Sequence, residues 1–128
     1  MESNKPSFSL ICVGSELLRG KINTHASTLA RRLGSIGLDL SDEHTLGDDL
    51  AALTRQITRA LRDSRIVIVT GGLGPTFDDL TREAAAEACG RPLVFSPTLL
   101  REIKAKFRRA RLRSMPPALQ SADSDYSP

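Results

Sequence analysis

Several residue types are scarce in this chain of 128 residues, and each shortage excludes a class of protein. Aromatic residues make up 4% of the sequence and tryptophan is absent, which argues against a protein that stacks nucleic-acid bases. The two cysteines, Cys12 and Cys89, have neither metal-ligand spacing nor the density of a secreted disulfide scaffold. No apolar run approaches the roughly twenty residues of a membrane span, and the first residues lack the apolar stretch of a signal peptide. We therefore expect a cytoplasmic protein without a membrane partner.

The length and the charge are those of an ordinary globular protein. Hydrophobic residues make up 40% and charged residues 26% of the chain, and 128 residues suffice for one domain with its own core. We predict a single domain over residues 1–128, with a polar tail from about residue 116. The net charge of +3 is small, and much of the positive excess lies in residues 101–113. We therefore expect no nucleic-acid partner.

Strand signals alternate with helix signals along the chain. Apolar and β-branched runs predict strands at 8–13 and 65–70, and weaker strands at 38–46, nearer a sheet edge, and at 91–95. The run in 65–70 shows no alternation of apolar and polar residues, which is typical of a parallel strand covered by helices on both faces. The order βαβαβαβα predicts an α/β domain with a mostly parallel sheet.

Four helices are predicted from the spacing of apolar residues and from capping residues. The first begins near Thr24, and the second follows an N-cap at Asp48 or Asp49. The third ends near Gly90, and the fourth has Ser96 as its N-cap. The predicted apolar faces are Leu50, Leu53, Ile57 and Leu61 on the second helix, and Leu99, Ile103, Phe107 and Ala110 on the fourth.

The segment "TGGLGPTFDDLTRE", residues 70–83, lies beyond the carboxyl end of a predicted strand, where open parallel sheets bind ligands. Glycines at 71, 72 and 74 allow positive φ and let several N–H groups point at one anion, such as a phosphate, beside a helix N-terminus. The segment lacks the Gly-Lys-Ser/Thr of a Walker A loop, and Phe77 occupies the third glycine position of the dinucleotide fingerprint. The alternative is a tight connection that binds nothing.

The same segment carries two adjacent carboxylates, Asp78 and Asp79. Thr76 and Asp79 have the spacing of a capping box, in which each would satisfy an N–H group of the helix that follows. A second carboxylate beside an anion site is electrostatically unfavourable unless a cation or a reacting proton shares the site. The pair therefore favours a functional loop over a purely structural one.

Three motifs resemble the CinA family (competence/damage-inducible proteins), whose N-terminal domain is similar to the molybdopterin-binding MoaB/Mog domain. They are "GGLGPTFDDLT", "VGSELLRGKINTHASTLARRLGSIG" and "TLGDDLAAL", and together they cover most of residues 8–113 in the family's order. The resemblance implies a three-layer αβα sandwich with a site for molybdopterin or a phosphorylated nucleotide. In the MoaB/Mog relatives that site transfers adenylate to molybdopterin, and in CinA-type proteins it is associated with hydrolysis of the ADP-ribose pyrophosphate bond.

The resemblance also implies roles for individual residues. Asp48 and Asp79 match the family's acids and would be catalytic, holding a divalent metal such as Mg²⁺ or orienting a water molecule. Asp78 stands where the MoaB/Mog proteins have Arg, which favours CinA-like chemistry over adenylyl transfer. A purely structural role stays open for two of these residues, because Asp48 is also a candidate N-cap and Glu16 is also a candidate first-turn acid. The expected ligand-binding residues are Ser15, Glu16, Gly71, Gly72, Gly74, Thr76 and Asp78.

Two classes of function remain open from the sequence. One is a metal-dependent ADP-ribose pyrophosphatase, and the other is a binding module for a molybdopterin-like or nucleotide phosphate without turnover, related to molybdenum cofactor biosynthesis. The sequence ends in "PPALQSADSDYSP" where the family continues through another strand and a second ligand loop. A sheet edge and the apolar face of the fourth helix would then lack part of their cover, so we expect a homo-oligomer, most simply a dimer.

Overall fold

A computed structural model describes residues 6–110 of the chain. The elements in this range are β1 (Phe8–Val13), α1 (Ser15–Leu18), α2 (Thr24–Ser35), β2 (Leu40–Leu46), α3 (Leu50–Asp63), β3 (Ile66–Thr70), α4 (Thr81–Cys89) and α5 (Pro97–Arg109). They belong to two compact units, one ending at Pro92 and the other starting at Leu93. The single domain stays a prediction, and the predicted polar tail from about residue 116 lies outside the described residues.

The first unit is built around β1, which lies between β2 and β3 and is parallel to both. All six residues of β1 are buried because helices cover both faces of the sheet. Ile11 and Val13 pack with the apolar faces of α3 and α4, whereas Leu10 and Cys12 pack with α1 and α2 on the other side. This arrangement confirms the three-layer αβα sandwich with a parallel sheet.

The outer strands of the described sheet are less buried than β1. β2 has the half-polar sequence LSDEHTL and lies at one edge, as predicted. β3 lies at the opposite edge, and its most exposed residue, Ile66, is 40% exposed. The continuous apolar run of β3 had suggested a strand that is fully buried inside the sheet. Within the described residues, however, β3 pairs only with β1.

The predicted strand at 91–95 is wrong, because the chain there forms no regular structure. Gly90 ends α4 with a left-handed backbone (φ 61°), and Pro92 follows without an N–H group for a ladder hydrogen bond. Val94, in the middle of the predicted apolar run, is 81% exposed.

Three helices of the described range begin at polar caps, and two of these caps, Asp49 and Ser96, were predicted. The side chains of Asn23, Asp49 and Ser96 each accept a hydrogen bond from the backbone N–H three residues later. Such a cap stabilises a helix by about 1 kcal/mol. Of the two candidates before α3, Asp49 is the cap, which leaves Asp48 outside the helix.

Two predicted helix faces are partly wrong. In α3 the buried residues are Leu53, Ile57 and Ala60, whereas Leu50 and Leu61 are 37% and 47% exposed. In α5 the buried residue is Leu100, while its neighbour Leu99 is 58% exposed. In α3 the buried face keeps Leu53 and Ile57 and continues through Ala60 instead of Leu61, since residues three positions apart also share a helix face. No helix within residues 6–110 is long and apolar enough to cross a membrane.

Candidate functional site

The three strands end at the same edge of the sheet, which brings together the loops that carry the predicted site. Val13 pairs with Leu46, and Cys12 pairs with Thr70, so the carboxyl ends of the strands are level. The N–H of Gly14 donates to the carbonyl of Leu46 at 2.9 Å and joins the first two loops directly. The topology therefore starts the loops of the predicted residues at one edge, as parallel pairing requires.

Two predicted residues, Ser15 and Asp48, contact each other across this edge. The hydroxyl of Ser15 donates a hydrogen bond of 2.5 Å to Oδ2 of Asp48, although Ser15 begins α1 and Asp48 lies in the loop after β2. Asp49 already caps α3 by accepting a hydrogen bond from the N–H of Ala52, so the alternative structural role of Asp48 as the helix cap is wrong. Ser15 is half-buried and Asp48 is exposed. The negative charge of Asp48 strengthens the hydrogen bond, and its carboxylate remains in contact with solvent.

The first two glycines of the loop after β3 have a backbone that other residues avoid. Gly71 has φ 83° and Gly72 has φ 62°. A Cβ added to Gly71 would lie 2.0 Å from the carbonyl oxygen of Val13, and one added to Gly72 would lie 2.3 Å from Oγ1 of Thr81. Both positions therefore require glycine for conformation and for close approach.

Gly74 is different, because its backbone is not left-handed. A Cβ at this position would lie 2.7 Å from Oδ2 of Asp79. The neighbour is the end of a side chain, not a backbone atom, so this glycine makes room for the carboxylate.

Asp79 closes the second half of the loop. Its carboxylate accepts hydrogen bonds from the hydroxyl of Thr76 at 2.6 Å and from the N–H of Thr76 at 3.0 Å. These two bonds lower the pKa of Asp79 below its ordinary value, and the N–H of Gly74 and the charge of Arg82 act in the same direction. The carboxylate is thus held ionised by the loop's own donors.

The predicted capping box of Thr76 and Asp79 is wrong as a helix cap. α4 begins at Thr81, and its N-cap Leu80 makes no side-chain hydrogen bond to the helix. Thr76 and Asp79 instead hold each other, because the N–H of Asp79 also donates to the carbonyl of Thr76 at 3.0 Å. The pair stabilises a turn that precedes the helix. Asp78, on the same turn, is exposed.

A cleft of about 170 Å³ lies between the loop after β1, the start of α2 and the glycine loop. Glu16 and Gly71, two of the predicted ligand-binding residues, line it. Neither Asp48 nor Asp79 is among the described residues that line this cleft. The remaining wall residues are Val13, Leu17, Lys21, Ile22, Asn23, Thr24, His25 and Thr70.

The sequence interpretation missed the segment Lys21–His25 as part of the cleft wall. The signal available was the position of this segment inside the family-like stretch "GSELLRGKINTHA". Glu16 belongs to the first turn of α1, and its Oε1 lies 2.8 Å from where a Cβ of Gly14 would be. Glu16 is thus a first-turn acid that also lines the cleft, and its role in ligand binding stays a prediction.

The interpretation also missed Thr81. Its hydroxyl donates to the carbonyl of Gly71 at 2.8 Å, and its N–H donates to the carbonyl of Gly72 at 3.2 Å. Thr81 is 4% exposed and is one of the few buried polar residues of the described chain. It ends the motif "GGLGPTFDDLT", in which the glycines and acids had attracted all the functional interpretation.

The predicted metal site at Asp48 and Asp79 has no prepared ligand set. Within residues 6–110 no three His, Cys, Asp or Glu side chains are grouped closely enough to hold a metal ion. Asp79 is engaged by Thr76, and the two aspartates follow strands that lie on opposite sides of β1. We therefore derive no chemical step through a metal.

Known proteins are similar to this chain in sequence and in fold. The family described as "Probable molybdopterin binding domain" matches residues 9–122. A CinA-like protein of Endomicrobium trichonymphae is 46% identical over 110 residues, which are 85% of this chain and 26% of that protein. The chain spans about a quarter of the length of the curated relatives it matches.

Solved structures agree. The crystal structure of the CinA protein of Thermoplasma acidophilum matches with a TM-score of 0.79 and 33% identity, over 93% of this chain and 69% of that one. The molybdopterin biosynthesis enzyme MoaB of Thermus thermophilus matches with a TM-score of 0.58 over 88% of this chain and 69% of that one, at 18% identity, which shows the fold alone. This chain belongs to the family of molybdopterin-binding domains, and within it to the CinA proteins.

Proposed function

We propose that this domain binds a phosphorylated small molecule, either a nucleotide or a pterin, in the cleft beside the glycine loop. The observation that carries the proposal is the meeting of Gly71, with its left-handed backbone, and the start of α2 in one cleft wall. A glycine-rich turn and a helix N-terminus both present N–H groups to an anion, and the helix dipole adds to the attraction.

The charged side chains of the cleft suit two different chemical groups of one ligand. Lys21 and the first turn of α2 supply positive potential and suit a phosphate group. Glu16 carries a negative charge on the same wall, where it suits a hydrogen-bond donor such as a ribose hydroxyl or an amino group of a pterin ring. A free phosphate would meet Glu16 unfavourably, so the wall favours a ligand with both groups over an inorganic anion.

Hydrolysis of the pyrophosphate bond of ADP-ribose is the second candidate function. It is favoured by Asp48, a carboxylate that is not needed as a helix cap and that holds the hydroxyl of Ser15 at the ligand edge of the sheet. The described carboxylates are not grouped into a metal site. The observations therefore support ligand binding more strongly than they support hydrolysis. Without turnover, the domain would be a binding module related to molybdenum cofactor biosynthesis.

The test is a titration of the ¹⁵N-labelled chain with ADP-ribose, AMP, a pterin phosphate and inorganic pyrophosphate, each followed by two-dimensional NMR of the backbone amides. We expect saturable shifts of the amides of Gly71, Gly72 and Leu73 and of residues 21–25 with ADP-ribose or AMP. Absence of saturation by both nucleotides and by a pterin phosphate would contradict the proposal. Incubation with ADP-ribose and Mg²⁺ in the same series detects AMP if the second candidate is correct.

We also place the protein in a reducing, cytoplasmic compartment as part of this proposal. Cys12 is buried in β1, Cys89 is exposed at the end of α4, and both are free thiols. An exposed free thiol is ordinary where thiols are kept reduced and unusual where disulfides form.

A further inference from the structure

We propose that Thr81 is a positioning residue for the glycine loop, and that it aims the N–H groups of Gly72 and Leu73 at the phosphate of the ligand. The proposal rests on the proposed phosphate-binding function of the loop. Thr81 is not expected to touch the ligand, because its hydroxyl and its N–H are both used within the protein.

The first step is that one residue holds two successive carbonyl groups. The hydroxyl of Thr81 donates to the carbonyl of Gly71 at 2.8 Å, and the N–H of Thr81 donates to the carbonyl of Gly72 at 3.2 Å. Both carbonyls therefore point to the first residue of α4. Left-handed values of φ at Gly71 and Gly72 permit this shared direction.

The second step follows from the planarity of the peptide group. In a trans peptide the C=O of one residue and the N–H of the next point in opposite directions, and the described chain has no cis peptide bond. Because the carbonyls of Gly71 and Gly72 point to Thr81, the N–H groups of Gly72 and Leu73 point away from it. Neither N–H donates a hydrogen bond to another residue in the described part of the chain. Two successive N–H groups with a common direction suit the oxygen atoms of a phosphate.

The third step is that Thr81 is itself fixed. It is 4% exposed and begins α4, whose Ala84 is fully buried in the core with Ile11 and Val13. Gly72 lies so close that a Cβ would come within 2.3 Å of the Thr81 hydroxyl oxygen. Thr81 thus anchors the glycine loop to the hydrophobic core. Leu73, at the outer end of this turn, is 59% exposed.

The experiment compares Thr81→Val, Thr81→Ser and a matched control, Thr58→Val. Valine keeps the shape of threonine and removes the hydroxyl, while serine keeps the hydroxyl. Thr58 also donates a hydrogen bond of 2.8 Å to a backbone carbonyl, that of Thr54, but on the exposed surface of α3. The affinity of each full-length variant for ADP-ribose is measured by calorimetry at a temperature where it is folded.

We expect Thr81→Val to weaken ADP-ribose binding about tenfold, Thr81→Ser to restore it to within about twofold, and Thr58→Val to leave it unchanged. A residue with a merely structural role would lower the melting temperature while the folded protein kept its affinity. A folded Thr81→Val variant with the affinity of the wild type would therefore overturn the proposal. If valine prevents folding, the Thr81→Ser and Thr81→Ala pair gives the same comparison.

A second readout separates this proposal from the proposed function. If the wild type binds none of the nucleotides, the binding function is wrong, but the loop geometry can still be measured in the free protein. Thr81→Val should then shift the amide resonances of Gly72 and Leu73 and speed their hydrogen exchange, and Thr58→Val should not. Unchanged resonances and exchange at Gly72 and Leu73 would overturn the positioning role independently of any ligand.

Discussion

The hydroxyl of Ser15 lies 2.5 Å from Oδ2 of Asp48, and this hydrogen bond links the start of α1, just after β1, to the loop after β2. The two residues are 33 positions apart in the sequence and meet because their strands are adjacent and parallel. The next residue, Asp49, has a different task and caps α3. Two neighbouring aspartates thus offer a direct comparison between a proposed site residue, Asp48, and a structural one, Asp49.

Replacing Asp49 should destabilise the protein, whereas replacing Asp48 should not. We expect Asp49→Ala to lower the free energy of unfolding by about 1 kcal/mol, because the N–H of Ala52 loses its acceptor. Asp48→Ala should change it by less than about 0.5 kcal/mol, because the lost hydrogen bond is exposed. Urea denaturation of both variants measures the difference. Equal losses of stability would show that Asp48 also serves the fold.

Asp48→Ala should, in turn, be the variant that impairs function. If the loops after β1 and β2 act together at the ligand edge, releasing Ser15 from Asp48 should weaken binding of ADP-ribose or abolish its hydrolysis. Asp49→Ala is the control at the adjacent position. The same ligand affinity and the same AMP yield in both variants would remove Asp48 from the site.

The pKa of Asp79 should make the stability of the domain depend on pH in the acid range. The hydroxyl and N–H of Thr76 lower this pKa in the folded state, while the unfolded value is about 3.9. The ionised carboxylate therefore contributes its full stabilisation above about pH 4, and the contribution is lost as the pH falls through the lower folded pKa.

Asp79→Asn tests this linkage, with the exposed neighbour Asp78→Asn as control. The difference in unfolding free energy between wild type and Asp79→Asn should shrink as the pH is lowered from 6 to 3, whereas Asp78→Asn should follow the wild type. Carbon NMR of the Asp79 carboxyl group gives the folded pKa directly. A value at or above about 3.9 would contradict the assignment of Thr76 as its partner.

Self-association is expected in solution. Val94 and Leu99 are 81% and 58% exposed, and a net charge of +3 offers little repulsion between copies. Sedimentation velocity at micromolar concentration should show a dimer, and Leu99→Lys should shift it towards the monomer. A 13.9 kDa species for the wild type at these concentrations would refute the prediction.

The fold could be predicted well from the sequence because its signals are local. The buried run Phe8–Val13, the cap at Asp49 and the left-handed Gly90 each act within a few residues. The false strand at 91–95 arose from three apolar residues, and a proline and a left-handed glycine decided otherwise. A short apolar run is therefore not enough to predict a strand, because strand formation also requires a neighbouring strand with which to pair.

The site was harder to predict, because its parts are brought together by long-range contacts. The glycines at 71 and 72 were found, since only glycine adopts their backbone without strain. Thr81 was missed because a threonine that holds two carbonyls has the same sequence signature as any helix-starting threonine. Asp79 was assigned to catalysis, and nothing in its spacing revealed that the hydroxyl and the N–H of Thr76 both donate hydrogen bonds to its carboxylate.

The central claim is that the glycine loop binds a phosphorylated ligand, and Gly72→Ala compared with Gly90→Ala tests it most directly. The two glycines have nearly equal φ, 62° and 61°, so alanine adds a similar backbone strain of about 1 kcal/mol at each. An added Cβ meets Oγ1 of Thr81 at 2.3 Å in the first case and open space in the second.

The measurement is the affinity of both variants for ADP-ribose by calorimetry, after circular dichroism has shown that both are folded. We predict that Gly90→Ala binds like the wild type, and that Gly72→Ala loses at least about tenfold in affinity. Equal affinity of the folded Gly72→Ala variant and the wild type would contradict the account.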